Sequence, residues 1–146
     1  EAQLWIVGQG PLERELAADL PDGVDLLGFL PRQELYERMR RAHCLLVPSV
    51  REGWGLVVLE ANSVGTPAIA YDVPGLRDSV RHGVTGRLVG AGDPEELATA
   101  ALELLEDGDA YAEMSRNALA WSGGFSWNET ARQLFEIVED APRTVA

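Results

Sequence analysis

Two carboxylates, Glu52 and Glu60, bracket a glycine turn in the run Pro48-Ser49-Val50-Arg51-Glu52-Gly53-Trp54-Gly55-Leu56-Val57-Val58-Leu59-Glu60-Ala61. A strand ending near Pro48, a tight turn at Gly53 and Gly55 and a helix from Leu56 to Val64 would leave backbone N–H groups free where a phosphate can approach. Carboxylates accept paired hydrogen bonds from vicinal hydroxyls. A phosphate flanked by two Glu therefore points to a ligand with sugar on both sides of the phosphate, and a nucleotide sugar has that form.

The spacing of the pair carries no weight, because Glu95 and Glu103 repeat it on what reads as a polar, solvent-facing helix with no glycine turn before it. Glu60 is set apart by its helical neighbours Leu56, Val57, Ala61 and Val64. These predict a largely buried element, where a charge is costly unless paired or bound. The plainer alternative is a Glu that complements the N-terminal half of a helix dipole, worth about 0.3–1 kcal/mol. Gly8-Gln9-Gly10-Pro11 is another glycine turn after a strand. It lacks the third glycine of a dinucleotide fingerprint and the acidic residue that would meet a ribose, so a bare turn is equally compatible. His43 and His82 have no partners at metal-ligand or acid–base spacing and read as structural.

The elements that must position these residues alternate. Leu4 to Val7 reads as a strand, followed by a helical pattern through Leu12, Leu16 and Leu20 that ends at Pro21. Val24 to Leu30 and Pro31 to Arg41 repeat strand and helix, with Leu35 and Met39 on the inner face. Cys44 to Val47 is a third strand, Thr66 to Tyr71 a fourth and the stretch from His82 to Val89 a turn with a last short strand. A short helix spans Leu76 to Val80, and three more follow at Pro94 to Leu105, Ala110 to Trp121 and Trp127 to Val138, with Asp93 and Ser126 as N-caps. Short apolar strands alternating with helices predict an α/β fold, a parallel sheet covered on both faces. Ligands of such sheets bind beyond the carboxyl ends of the strands. The loops Gly8 to Pro11, Leu30 to Pro31, Ser49 to Leu56 and Asp72 to Gly75 should then share one rim.

With 146 residues and 46% hydrophobic content the chain fits a single domain, residues 1–146, with a real core. No apolar run approaches the roughly 18 residues of a membrane span. The first residues enter a strand directly, with no basic region or initial Met, so the expectation is a fragment of a larger two-domain protein. A net charge of −12 argues against nucleic acid or an anionic membrane as the partner of this face. All twelve basic residues are Arg, so any lysine that the chemistry needs must come from elsewhere. The single cysteine, Cys44, reads as a small buried hydrophobe and leaves no internal disulfide or cysteine metal site. A cytoplasmic setting fits that composition, the full-length parent being either free there or peripheral to the membrane.

Gly8-Gln9-Gly10-Pro11, Leu27-Gly28-Phe29-Leu30, Val47-Pro48-Ser49, Glu52-Gly53-Trp54-Gly55-Leu56 with Glu60-Ala61, Gly65-Thr66-Pro67, Gly83-Val84-Thr85-Gly86 and Phe125-Ser126-Trp127 occur in this order. Jointly the pattern resembles the C-terminal, donor-binding domain of GT-B retaining glycosyltransferases of family 4, across nearly the whole chain. The resemblance implies the Rossmann-like C-terminal half of a GT-B fold, here without its first strand and helix, and a parent that transfers a hexose from a nucleoside-diphosphate sugar to an acceptor hydroxyl. It implies that Glu52 meets hydroxyls of the donor sugar as the catalytic carboxylate and that Glu60 binds the ribose. The backbone N–H groups of Trp54, Gly55 and Leu56 would hold the diphosphate, the main chain near Leu30 would meet the base, and Gly8 and Gly10 would let the first loop come close. It further implies no metal and no cofactor, because such enzymes generally neutralise the leaving diphosphate with an Arg and a Lys. In the family these come from a strand and helix that precede the position of Leu4. The acceptor would be bound by an N-terminal domain outside this chain, and the chain alone would be inactive. Trp54 stands where Phe is commoner, and Cys44 where the family often has Asp.

Two rivals share these residues. A sugar-nucleotide epimerase on the same architecture would need acid–base groups at the sugar, and histidines are scarce here. A non-catalytic interaction module would use the glycine turn only as a turn. In two-domain relatives the last helix packs across to the other domain, so Trp127, Leu134, Phe135 and Val138 are expected to lose cover in this chain and to favour self-association.

Overall fold

A computed structural model describes residues 2–140. The chain divides into two compact units at the step from Arg38 to Met39. In the first unit, strand β1 (Leu4–Val7) pairs in parallel with β2 (Val24–Gly28). Helix α1 (Glu13–Ala18) connects them, and α2 (Arg32–Arg41) begins after β2. The amide of Gly8 donates to the carbonyl of Gly28 at 2.8 Å, which joins the carboxyl ends of the two strands. Helix α1 is shorter than the leucine spacing suggested and stops before Leu20. The proline at position 21 disfavours helical geometry for the residue preceding it. Leu12 and Leu16 are exposed, and none of residues 2–38 is buried as fully as the core of the second unit.

The second unit holds β3 (Leu45–Val47), α3 (Leu56–Asn62), β4 (Ala68–Tyr71), α4 (Leu76–Ser79), β5 (Gly86–Val89), α5 (Pro94–Glu106), α6 (Gly108–Ser122) and α7 (Trp127–Asp140). Strand β4 lies between β3 and β5, parallel to both. All four of its residues are buried, as a central parallel strand with covered faces requires. Val58, Ala68, Ile69, Ala70, Leu76 and Leu104 have no exposed surface and form the centre of the core. Parallel strands joined through helices make this a Rossmann-like α/β arrangement.

Helix α5 is not the polar, solvent-facing helix that its charges suggested. It buries Leu97, Ala100, Ala101 and Leu104 at a helical period, and only the opposite face carries Glu95 and Glu103. The expected caps are present: Asp93 accepts from the amide of Glu96 at 2.9 Å, and the Ser126 hydroxyl accepts from the amide of Glu129 at 3.1 Å. Among the described residues no helix is long and apolar enough to cross a membrane.

Candidate functional site

The turn between β3 and α3 is held from below by the turn between β4 and α4. Gly55 has φ 86°, and a Cβ there would lie 2.8 Å from Leu76 Cδ2 and 2.9 Å from Ser79 Oγ. Gly75, also at φ 86°, approaches so closely that a Cβ would sit 2.3 Å from the carbonyl oxygen of Glu52. Only glycine satisfies both the left-handed backbone and the contact at each place. Two of the four loops expected on one rim, Ser49 to Leu56 and Asp72 to Gly75, are thus in backbone contact. Asp72 and Arg77 form an ion pair on the second of them.

Glu52 is half-buried, and one of its carboxylate oxygens accepts the amide of Gly53 at 3.1 Å. The next amides, of Trp54, Gly55 and Leu56, donate to no acceptor among the described residues. Three consecutive unbonded N–H groups beside a carboxylate can take an anion and a hydroxyl together. The turn therefore presents side by side the two groups that the sequence suggested for it, open amides and a carboxylate.

Glu60 departs from expectation. It is half-buried and lies on the outward stripe of α3 with Leu56, which is 69% exposed, and Ser63. The buried stripe is Val58, Ala61 and Asn62. Apolar neighbours in sequence were misleading because Leu56 faces out. The Glu60 carboxylate forms no hydrogen bond or ion pair among the described residues.

The remaining candidates lie in the first unit. Gly8 and Gly10 occupy the turn after β1, each with open space where a Cβ would project, and Leu30 is half-buried in the turn after β2, beside the exposed ring of Phe29. The structure does not give the lone histidines a chemical role. His82 Nδ1 accepts the amide of Leu88 at 3.0 Å, and the His43 ring packs 5.6 Å from that of Tyr111. Burial pushes the Cys44 thiol up to about 11, which keeps it protonated and inert at neutral pH.

Sequence reasoning quoted Phe125 only as part of the segment opening the last helix and passed over Leu76, Ser79 and Trp121 as supports of the turn. Leu76 and Ser79 of α4 meet Gly55, Phe125 meets Trp54, and Trp121 of α6 meets Phe125, all through the tertiary fold alone. No spacing along the chain links them to the turn.

The sequence model of the family described as "Glycosyl transferases group 1" matches residues 1–121. The chain belongs to this family. A curated relative, the D-inositol 3-phosphate glycosyltransferase of Thermobispora bispora, is 43% identical over 129 residues, which are 87% of this chain and 30% of the relative. This chain thus spans about 30% of the length of the curated relatives it matches. Among solved GT-B structures, sucrose-phosphate synthase from Thermosynechococcus elongatus superposes with a TM-score of 0.82 at 31% identity, over 94% of this chain and 38% of that one. HepE of Anabaena, solved in complex with UDP, gives a TM-score of 0.83 at 26% identity, over 96% of this chain and 41% of that one. A further HepE structure contains UDP-glucose. The group 1 chain is therefore built like the C-terminal half of a GT-B glycosyltransferase.

Proposed function

We propose that the full-length protein transfers a hexose from a nucleoside-diphosphate sugar to an acceptor hydroxyl with retention of configuration, and that this chain supplies most of the donor site. The observation that carries the reading is the β3–α3 turn, with its unbonded amides at Trp54, Gly55 and Leu56 beside the Glu52 carboxylate. Membership of the glycosyl transferases group 1 family and the UDP and UDP-glucose complexes of HepE support it.

In this reading the anomeric bond to the diphosphate breaks as a new bond to the acceptor oxygen forms on the same face, and the acceptor hydroxyl gives its proton to the leaving diphosphate. Negative charge grows on the leaving diphosphate, and amides already oriented toward it lower the barrier without reorganising. Glu52 holds hydroxyls of the donor sugar and Glu60 those of the ribose. The main chain at Leu30 meets the base, and the Gly8 and Gly10 turn admits the donor. Basic side chains from outside this chain complete the diphosphate site, with no metal or cofactor, and a separate domain binds the acceptor. The setting is cytoplasmic.

Calorimetric titration of UDP, GDP and their sugar conjugates into the full-length protein tests the donor assignment, and heats no larger than dilution would sink it. Glu60→Ala is expected to weaken donor binding about tenfold or more, the scale of charge-assisted hydrogen bonds. Glu52→Ala is expected to act mainly on kcat. Equal changes in both constants for both variants would remove the separate roles.

A further inference from the structure

The turn with the open amides is fixed on its far side by rings. The Phe125 ring stands edge to face with Trp54 at 5.8 Å and 62°, and with Trp121 at 4.9 Å and 81°. Trp121 is itself anchored, because its indole N–H donates to the Ser79 carbonyl at 3.1 Å and the Arg81 guanidinium lies 5.1 Å over its ring. Ser79 in turn abuts Gly55. The contacts run from Gly55 through Ser79, Trp121 and Phe125 to Trp54, and so close a circuit around the peptide units whose amides are unbonded. Phe125 is the member held least by its own surroundings: it is 40% exposed, and its amide donates to Ser122 at 3.1 Å. Removing its ring takes the edge-to-face contact from Trp54 while leaving Trp121 tied to Ser79 and Arg81.

We infer that Phe125 is a positioning residue for the donor site, acting through Trp54 to aim the amides of Trp54, Gly55 and Leu56 at the diphosphate. The inference rests on the donor reading proposed above. It also gives the segment that leads into α7 a direct mechanical link to the site, since Ser126, the α7 cap, follows Phe125 in the chain.

Steady-state kinetics and UDP titration of the full-length protein test it. Phe125→Ala should raise the donor KM and the UDP Kd about tenfold, the scale of a lost aromatic contact. Its kcat at saturating donor should fall as well, because the same amides stabilise the leaving diphosphate, and Phe125→Tyr should restore both constants to within about twofold. A purely structural role would lower kcat through loss of active protein and leave KM alone, and that result would overturn the inference. Should Phe125→Ala fail to fold, Phe125→Leu keeps the volume without the ring and is read the same way. Absence of UDP binding in the unaltered protein counts against the donor reading itself, whereas normal binding with an unchanged KM in the variants counts only against Phe125.

Discussion

Helices α6 and α7 are neighbours in sequence and similar in length, yet they use their apolar residues in opposite ways. Helix α6 buries Met114 and Ala118 and reaches other elements through Ser115, whose hydroxyl donates to the Gly65 carbonyl at 2.6 Å, and through Trp121. Helix α7 buries nothing: Trp127 is 90% exposed and Ile137 68%. Among the described residues its side-chain hydrogen bonds stay among Ser126, Glu129, Arg132, Gln133 and Glu136. The difference shows how far amphipathic periodicity reaches. It says that a helix has a face to cover, and it does not say what covers it.

The sharpest way to break that contrast is to delete core volume on one side of it. Leu104 on α5 is fully buried in the cluster that includes Met114 of α6. Leu104→Ala should cost about 2–5 kcal/mol in urea unfolding, transfer and cavity terms combined. Leu134→Ala on α7, which starts 60% exposed, should change stability by no more than about 0.5 kcal/mol. Comparable losses at the two positions would mean that α7 is packed within this chain.

The same contrast predicts association. Phe135, Val138 and Leu134 leave apolar surface bare on α7, and such surface tends to pair. Sedimentation of this chain alone should show heavier species growing with concentration, and Phe135→Glu should return it to a monomer. A monomer at high concentration without the substitution would refute the expectation.

The positions of the elements were legible because their signals are local. Asp93 and Pro94 begin a helix by cap and ring geometry, and the apolar run at Leu45–Val47 forms a buried strand. The β3–α3 turn was legible for the same reason, since Gly53 and Gly55 lie beside the Glu52 carboxylate in the chain. Orientation was not. Leu56 has the composition of a core residue and faces solvent, and α5 hid its buried face behind a charged sequence. The close approach of Gly75 to the Glu52 carbonyl and the ring contacts of Phe125 join residues remote in sequence, for which no period or spacing exists.

Titration separates the two regions with the smallest perturbation. Burial alone raises the Cys44 thiol to about 11, and Cys44 packs against the core of the second unit. On α7, hydrogen bonds from Arg132 and then Gln133 hold the Glu129 carboxyl down to about 2, with no help from burial. The signs are opposite. The depressed carboxyl contributes stability that is present above its ordinary 4.5 and is lost as pH falls through about 2. The raised thiol makes the fold lose stability as pH rises from 9.0, where the unfolded chain releases the proton, to about 11. Acid should therefore loosen α7 first and leave the core intact, so helical signal should fall below pH 3 or so while the Trp121 environment persists. A Glu129 midpoint near 4.5 by NMR would show that the Arg132 pairing does not hold in solution. Alkylation of Cys44 that is already fast at pH 9 would show that the core side of the contrast is open as well.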